Sequence, residues 1–169
     1  DFLNKVNSSL PESMELELED FYVRGVFVGK KADNIGAKKK YALLSESGRI
    51  KIRGFELVRR DWSNIARETQ KKVLEVILKE GSKDKAVAIV KDVIKRLREE
   101  VEGATIGYVI TKHGATISEK AELEEYAQDY DADYYINHQV IPATLKILKE
   151  LGVSEEELKG NGLQRRLGG

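Results

Sequence analysis

Lysines and arginines cluster in one short part of the chain, where they could contact phosphates. Eight Lys or Arg residues and two Glu lie between residues 38 and 60, although the whole sequence has 29 basic and 29 acidic side chains. Arg49, Lys51 and Arg53 alternate along a predicted strand, so their side chains should emerge on one face. Such a row could follow the phosphates of a nucleic-acid strand, whereas a lysine-rich segment could equally be a solvated surface.

Two further groups of cations extend this basic stretch. Lys38-Lys39-Lys40 leads into the preceding predicted strand at Tyr41, and Arg59-Arg60 stands directly before Asp61. We predict Asp61 to be the N-cap of a helix, whose free backbone N–H groups would also attract anions. The pattern therefore predicts a local anion-binding surface on a chain without net charge.

Metal binding and nucleophilic catalysis have little support in the sequence. Asp131 and Asp133 would share a divalent ion if they lay on a strand, but they precede a predicted helix, where acidic residues are stabilising without metal. His113 and His138 have no ligand spacing around them, and there is no cysteine. Gly103 and Gly107 do not form a phosphate-binding loop. We therefore predict no metal ligands and no catalytic residues in this chain.

Alternating apolar residues predict that strands fill the first third of the chain, after a short helix that ends at Pro11. The predicted strands cover residues 15–19, 21–28, 41–44 and 49–53, with a hairpin turn at residues 46–48 and a surface loop at residues 31–38. The absence of a leader segment and of a long apolar run predicts a soluble, cytoplasmic protein.

From Asp61 onward the apolar period changes to that of helices. One helix should end at Gly81 and a second begin after Ser82, forming a helical hairpin. A strand is predicted at residues 105–111 and a long helix at residues 134–151, followed by a short helix capped by Ser154. Strands followed by helices predict the α+β class.

Four segments resemble archaeal family B DNA polymerases, in the same order as in that family. The most distinctive is residues 53–63, Arg-Gly-Phe-Glu-Leu-Val-Arg-Arg-Asp-Trp-Ser; the others are residues 21–28, 39–42 and 134–143. They are similar to the region that joins the palm to the thumb. The resemblance implies an α+β fold of antiparallel palm-type strands with a helical thumb.

The resemblance also implies domain boundaries and DNA contacts. Residues 1–56 would complete the palm, residues 57–160 would form the thumb, and residues 161–169 would be a flexible tail. In the family, the Lys-Lys-Tyr motif contacts the backbone of the primer-template duplex, which positions DNA without reading its sequence. Carried onto this sequence and its basic stretch, the predicted DNA contacts are Lys38, Lys39, Lys40, Tyr41, Arg53, Arg59 and Arg60.

Catalysis in that family needs aspartates that this sequence does not contain. Two metal ions held by palm aspartates stabilise the attacking and leaving oxygens, but the Asp-Thr-Asp motif, the fingers helix and the exonuclease motif are all missing from these 169 residues. We therefore expect no cofactor on this chain and Mg²⁺ only in the assembled polymerase, on a larger partner chain. The chain would be either the small subunit of a split polymerase or a fragment.

Three parts of the chain depart from the family pattern. Residues 31–38 resemble an insertion, and the thumb tip seen in the family is missing between Val101 and Gly103. Gln164 and Leu167 have the spacing that opens a sliding-clamp-binding peptide, but the aromatic pair is absent, so a disordered tail is the alternative. The expected partners are therefore the large polymerase subunit, primer-template DNA and a sliding clamp.

Two other classes of function stay open at this stage. The chain could be a stand-alone, non-catalytic nucleic-acid-binding module, or a helical interaction protein whose lysines only increase solubility. Steep salt dependence of duplex binding would separate these two.

Overall fold

The computed structural model describes residues 2–29, 36–59, 61–99, 108–114, 116, 120–123 and 129–160. Within these ranges, the side chains of residues 36–39, 108–109 and 121–123 are outside the description. The chain combines antiparallel sheets with helices, so the predicted α+β class is confirmed.

A three-stranded antiparallel sheet contains the basic stretch. Its strands are β1 (Tyr22–Gly29), β2 (Gly36–Ser45) and β3 (Ile50–Arg53), in the order β1-β2-β3. Gly48 has φ of 82°, which the tight turn between β2 and β3 requires and which glycine adopts without strain. The predicted hairpin is confirmed. The predicted loop over residues 31–38 is partly wrong, because β2 already begins at Gly36; residues 30–35 lie outside the described part.

The two faces of this sheet differ in their surroundings. Ala42 is fully buried and Val28 nearly so, because this face packs against the helices. Phe27 stands on the opposite face and is 63% exposed. Its ring covers Gly25, where an added Cβ would lie 2.9 Å from Leu43 Cδ2 and 3.0 Å from Phe27 Cε2. The missing side chain at Gly25 is therefore what admits the ring.

Two antiparallel helices form the centre of the core, as predicted. They are α2 (Asn64–Glu80) and α3 (Lys83–Arg98). Gly81 ends α2 with φ of 69° and Ser82 caps α3, both as predicted. The prediction that Asp61 caps α2 is wrong. Ser63 is the N-cap and accepts a hydrogen bond from the backbone N–H of Ala66.

The predicted long helix near the C-terminus is present but irregular. It consists of α4 (Ala132–Tyr135), a π turn (Ile136–Val140), α5 (Ile141–Leu148) and a 3₁₀ turn (Lys149–Leu151). Pro142 offers no N–H to the preceding turn, and its ring would crowd a carbonyl of a regular α-helix. The wider π turn directly before it is consistent with that constraint, and the N–H of Ile141 donates to the carbonyl of Ile136.

Short elements complete the chain. Helix α1 (Phe2–Asn7) precedes the sheet, and α6 (Glu155–Lys159) follows its predicted cap Ser154. The strands β4 (Tyr108–Ile110) and β5 (Ala121–Leu123) form a separate antiparallel pair. Residues 101–107, which include the start of the predicted strand and the predicted thumb-tip gap, lie outside the described ranges.

One prediction of a strand is wrong. Residues 15–19 were expected to form a strand because apolar and acidic residues alternate there, yet they belong to an irregular segment between α1 and β1. Among the described residues, no helix is both long enough and apolar enough to cross a membrane.

Candidate nucleic-acid interface

One buried carboxylate connects the sheet to the helices. Glu56 lies in a 3₁₀ turn (Glu56–Val58) after β3 and is 2% exposed. Its Oε1 accepts hydrogen bonds from Lys40 Nζ at 2.7 Å and from Lys146 Nζ at 2.5 Å. Its Oε2 accepts one from Gln70 Nε2 at 2.7 Å. We call Lys40, Glu56, Gln70 and Lys146 the junction cluster, because they come from β2, the 3₁₀ turn, α2 and α5.

Gln70 uses its whole amide group inside this cluster. Its Nε2 also donates to the carbonyl of Ala143 at 2.6 Å, and its Oε1 accepts the N–H of Leu57 at 2.8 Å. Among the described residues, every buried side-chain nitrogen and oxygen has a hydrogen-bond partner. The junction is therefore a satisfied polar network, the form in which buried polar groups are tolerated and fix a geometry.

The junction cluster has more positive than negative charge. Burial raises the pKa of Glu56, but the hydrogen bonds from Lys146, Lys40 and Gln70 outweigh it and bring that pKa to about 2. Burial lowers the pKa of Lys40, and its hydrogen bond to Glu56 opposes that change. With one ionised carboxylate between two ammonium groups, the cluster has a net positive charge at neutral pH.

Aromatic rings hold both lysines in place. Lys40 Nζ lies 5.4 Å from the ring centroid of the fully buried Phe55. Lys146 Nζ lies 5.6 Å from that of Trp62. Both distances are within the range of cation–π attraction. The side chain of Lys40 is only 16% exposed, while that of Lys146 is 42% exposed, so Lys146 is the more accessible cation.

The open face of the sheet has a second group of predicted residues. Tyr41 pairs with Arg53 across β2 and β3 and with Phe27 across β2 and β1, and its ring centroid lies 6.0 Å from that of Phe27. Arg53 is exposed, and no ion pair joins it to another described residue. Tyr41 and Arg53 are therefore neighbours on one accessible surface.

The predicted cationic row is present, but acids neutralise two of its members. Arg49, Lys51 and Arg53 line one groove, together with Glu19 and Asp20. Lys51 forms an ion pair with Glu19, and Arg49 Nη2 lies 3.2 Å from Asp20 Oδ2. The segment before β1 thus supplies counter-charges to Arg49 and Lys51 that strand alternation does not reveal.

Arg59 forms a two-pronged pair with Asp61 at the surface. Nε lies 2.9 Å from Oδ1, and Nη2 lies 2.5 Å from Oδ2. The hydrogen bond to Asp61 raises the pKa of Arg59, and the same bond lowers the pKa of Asp61. Because exposed pairs contribute little stability, a phosphate could displace Asp61 at small cost.

The predicted DNA contacts do not all lie on one surface. Lys40 faces the helices through Glu56, whereas Tyr41 and Arg53 are on the open face. Lys38 and Lys39 lie in β2, but their side chains are outside the description. Arg60, Gln164 and Leu167 lie outside the described residues altogether.

Sequence reasoning missed the partners that surround Lys40. Glu56, Gln70 and Lys146 are up to 90 positions apart, and the apolar patterns that predict helices give no information about which polar residues meet. Glu56 belongs to the distinctive segment of residues 53–63, so its position there was a usable signal; for Gln70 and Lys146 we find none.

Of the two acidic residues Asp131 and Asp133, Asp131 has a structural role. Its Oδ1 accepts the N–H of Tyr134 at 2.9 Å, which caps α4, and its Oδ2 lies 2.7 Å from Lys120 Nζ. Burial raises its pKa, and the hydrogen bonds from Lys120 and Tyr134 more than offset this. Asp133 is exposed. In the part of the chain that the structure describes, no three His, Asp or Glu side chains converge on a metal site.

The fold agrees with what comparison with known proteins shows. The sequence model of the family described as "DNA polymerase family B" matches residues 1–106. The chain belongs to this family, and the resemblance found in the four segments is confirmed.

Proteins similar to this chain include DNA polymerases of archaea. The chain is 40% identical to a DNA polymerase of Methanocaldococcus jannaschii over 209 residues, covering 99% of this chain and 12% of that protein. It is 39% identical to DNA polymerase 1 of Pyrococcus abyssi, and the match covers 94% of this chain and 25% of that protein. The structure of the family B DNA polymerase from the hyperthermophilic archaeon Pyrobaculum calidifontis matches 90% of this chain and 25% of its own, with TM-score 0.63 and 28% identity.

The chain therefore spans a quarter or less of the length of these relatives. The aligned region of the Methanocaldococcus relative, at 209 residues, is longer than this 169-residue chain. The comparison thus includes positions that this chain does not have.

Proposed function

We propose that this chain is a DNA-binding palm and thumb portion of a family B DNA polymerase and works as the small subunit of a split enzyme. Residues 1–56 complete the palm and residues 57–160 form the thumb. A larger polypeptide supplies the catalytic aspartates and holds Mg²⁺, while this chain grips the primer-template duplex. The membership of the chain in the family supports its part in a DNA polymerase.

The junction cluster is the observation that carries the proposal. It places a net positive charge where the sheet meets the helices, between the segments proposed as palm and thumb. A lysine ammonium has three N–H groups, so Lys40 and Lys146 each keep donors for a phosphate oxygen after bonding Glu56. Contacts of this kind hold a duplex by its backbone, as a polymerase that copies any sequence requires.

Cations outside this cluster are further proposed contacts. Arg59 directly follows the 3₁₀ turn of Glu56, and Arg53 precedes it on the open face of β3. Lys38, Lys39, Tyr41 and Arg60 complete the proposed set. We further propose that Gln164 and Leu167 contact a sliding clamp.

Reconstitution tests the proposal directly. The purified chain is mixed with the polypeptide of the same genome that contains the remaining family B sequence, and Mg²⁺-dependent primer extension is measured. We expect no extension by this chain alone, weak extension by the large polypeptide and a strong increase for the mixture. Extension by this chain in strict isolation, or a large polypeptide unaffected by it, contradicts the proposal.

Binding measurements separate DNA gripping from mere assembly. Arg53→Gln and Arg59→Gln should each weaken duplex binding by a similar factor on duplexes of unrelated sequence, because phosphate contacts carry no base information. Lys149→Gln, an exposed lysine on the last turn after α5, serves as the matched control. Loss of binding that depends on the DNA sequence contradicts the backbone contact.

A further inference from the structure

A groove between α3 and α6 is lined by cations that the proposed DNA contacts do not include. Lys91, Lys95 and Arg98 come from α3, and Lys159 comes from the end of α6. The three α3 residues follow one another at helical spacing, so their side chains emerge on one side of this helix. The two helices pack against each other, and the groove has a volume of about 320 Å³.

Acidic residues neutralise only two of these four cations. Lys95 Nζ lies 3.7 Å from Glu99 Oε1, and Lys159 Nζ lies 2.7 Å from Glu155 Oε1. The other two cations of the groove are exposed, and no ion pair joins either of them to another described residue. The groove therefore has a net positive charge.

The ends of the two helices explain only part of this charge. The carbonyl groups at the end of a helix stabilise cations in its last turn, which accounts for Lys95 and Arg98 in α3 and for Lys159 in α6. Lys91 lies before the last turn of α3, four residues from Lys95, and like charges at this spacing destabilise a helix. An anion bound in the groove would relieve this repulsion.

The lining of the groove favours a protein segment over nucleic acid as the occupant. None of the residues that line it is aromatic, so the bases of a single strand would find no side chain on which to stack. A duplex is too wide to enter a groove of this volume between two packed helices. Ile94 and Leu158 add apolar lining, which an aliphatic side chain of a peptide can contact.

We propose that this groove binds an acidic segment of a partner protein. Its carboxylates would pair with Lys91 and Arg98, and an aliphatic side chain between them would contact the apolar lining at Ile94 and Leu158. The charge of the groove and its lining together define this chemistry. The inference goes beyond the proposed function, because none of the proposed DNA contacts or clamp contacts lines this groove.

An NMR titration of backbone amide shifts tests the site. The full chain is titrated at low salt with the peptide Glu-Glu-Leu-Glu-Glu and, separately, with Lys-Lys-Leu-Lys-Lys. We expect saturable shift changes at residues 91–99 and 155–160 with the acidic peptide only. Absence of saturable changes, changes centred on the three-stranded sheet, or equal binding of the two peptides overturns the inference.

Charge reversal identifies the cations that bind the peptide. Lys91→Glu and Arg98→Glu should each weaken binding of the acidic peptide about fivefold or more, because a carboxylate loses its partner and meets a like charge. Lys72→Glu makes the same charge change at an exposed lysine of α2 outside the groove, and it should alter the affinity by less than about twofold. Equal losses for all three variants would show attraction to overall charge alone and would overturn the inference.

The double variant Lys91→Glu plus Arg98→Glu shows that the loss of binding is not a loss of folding. It should acquire binding of Lys-Lys-Leu-Lys-Lys, and this gain requires a folded groove. A double variant that is folded by circular dichroism and binds neither peptide overturns the inference. If the same reversals weaken duplex binding as strongly as Arg53→Gln does, nucleic acid is the occupant; the inference is then wrong, while the proposed function stands.

Discussion

At the scale of single residues, the junction cluster depends on one carboxylate that serves two lysines. Removing its charge leaves Lys40 partly buried without a counter-ion, which is more costly than losing a surface pair. The cluster thus combines two roles. It connects the sheet to the helices, and it keeps two ammonium groups at that connection.

We predict that Glu56→Gln destabilises the chain by about 2 to 4 kcal/mol at pH 7. Because the pKa of Glu56 is about 2 in the folded chain, below its ordinary value, ionised Glu56 stabilises the fold above about pH 4.5, and this contribution is lost as the pH falls towards 2. Urea unfolding of both proteins at several pH values measures this.

The same experiment includes its own control. Glu68→Gln, an exposed residue of α2, should leave both the stability at pH 7 and its pH dependence nearly unchanged. If Glu56→Gln retains the full decrease in the free energy of unfolding between pH 4.5 and pH 2, Glu56 is not the group responsible.

At the scale of elements, the start of α2 distinguishes what the sequence predicts from what the fold selects. Asp61 and Ser63 are both good N-cap residues, and their spacing alone does not decide between them. In the structure, Ser63 is the cap, and its own N–H donates to Gln139 Oε1 at 3.1 Å. Asp61 instead pairs with Arg59. The choice therefore depends on a contact with a residue 76 positions away.

We predict that Ser63→Ala lowers the free energy of unfolding by about 1 kcal/mol, because the N–H of Ala66 loses its partner at a nearly buried position. Asp61→Ala should cost much less, since it removes only an exposed ion pair. Thermal or urea unfolding of the two variants compares them. If Asp61→Ala lowers the free energy of unfolding more than Ser63→Ala does, Asp61 is the N-cap instead.

The elements that could be predicted from the sequence are those with strong local signals. The β2–β3 hairpin with its glycine turn and the two helices around Gly81 follow from periodicity and capping residues. The strand predicted at residues 15–19 fails because a strand needs a neighbour, and none of the described strands lies beside this segment. The π turn could not be placed from Pro142 alone, since a proline equally permits a kink or a break.

The sequence predicts less of the candidate site than of the fold. The position of the basic stretch followed from composition and from the resemblance, and the structure places Tyr41 and Arg53 together. Long-range contacts place Lys40 on the other face, with Lys146. Other long-range contacts bring Glu19 and Asp20 to Lys51 and Arg49, whose charges they neutralise. Such contacts between polar residues have no periodic signature along the chain.

At the scale of the whole molecule, a chain without net charge should still bind duplex DNA in a salt-dependent manner. Between residues 38 and 60 there are eight Lys or Arg and only two Glu, so cations are concentrated in one part of the neutral sequence. Each phosphate contact releases about one counter-ion. The steepness with which affinity falls as salt is added therefore measures the number of phosphate contacts.

We predict that the logarithm of the affinity for duplex DNA falls linearly with the logarithm of salt concentration, and that Arg53→Gln plus Arg59→Gln reduces the slope by about 2, one for each lost contact. Fluorescence anisotropy with a labelled duplex at several salt concentrations measures the slope. A double variant with the slope of the unchanged protein would show that neither arginine touches a phosphate.

The single tryptophan of the chain makes the junction observable without a label. Trp62 stands beside Lys146, whose ammonium it shares with Glu56. Emission from an indole responds to nearby charge and to water, so a duplex arriving at this place, or protonation of the carboxylate, should alter its spectrum. The fluorescence of Trp62 therefore reports on the site at which we propose that DNA binds.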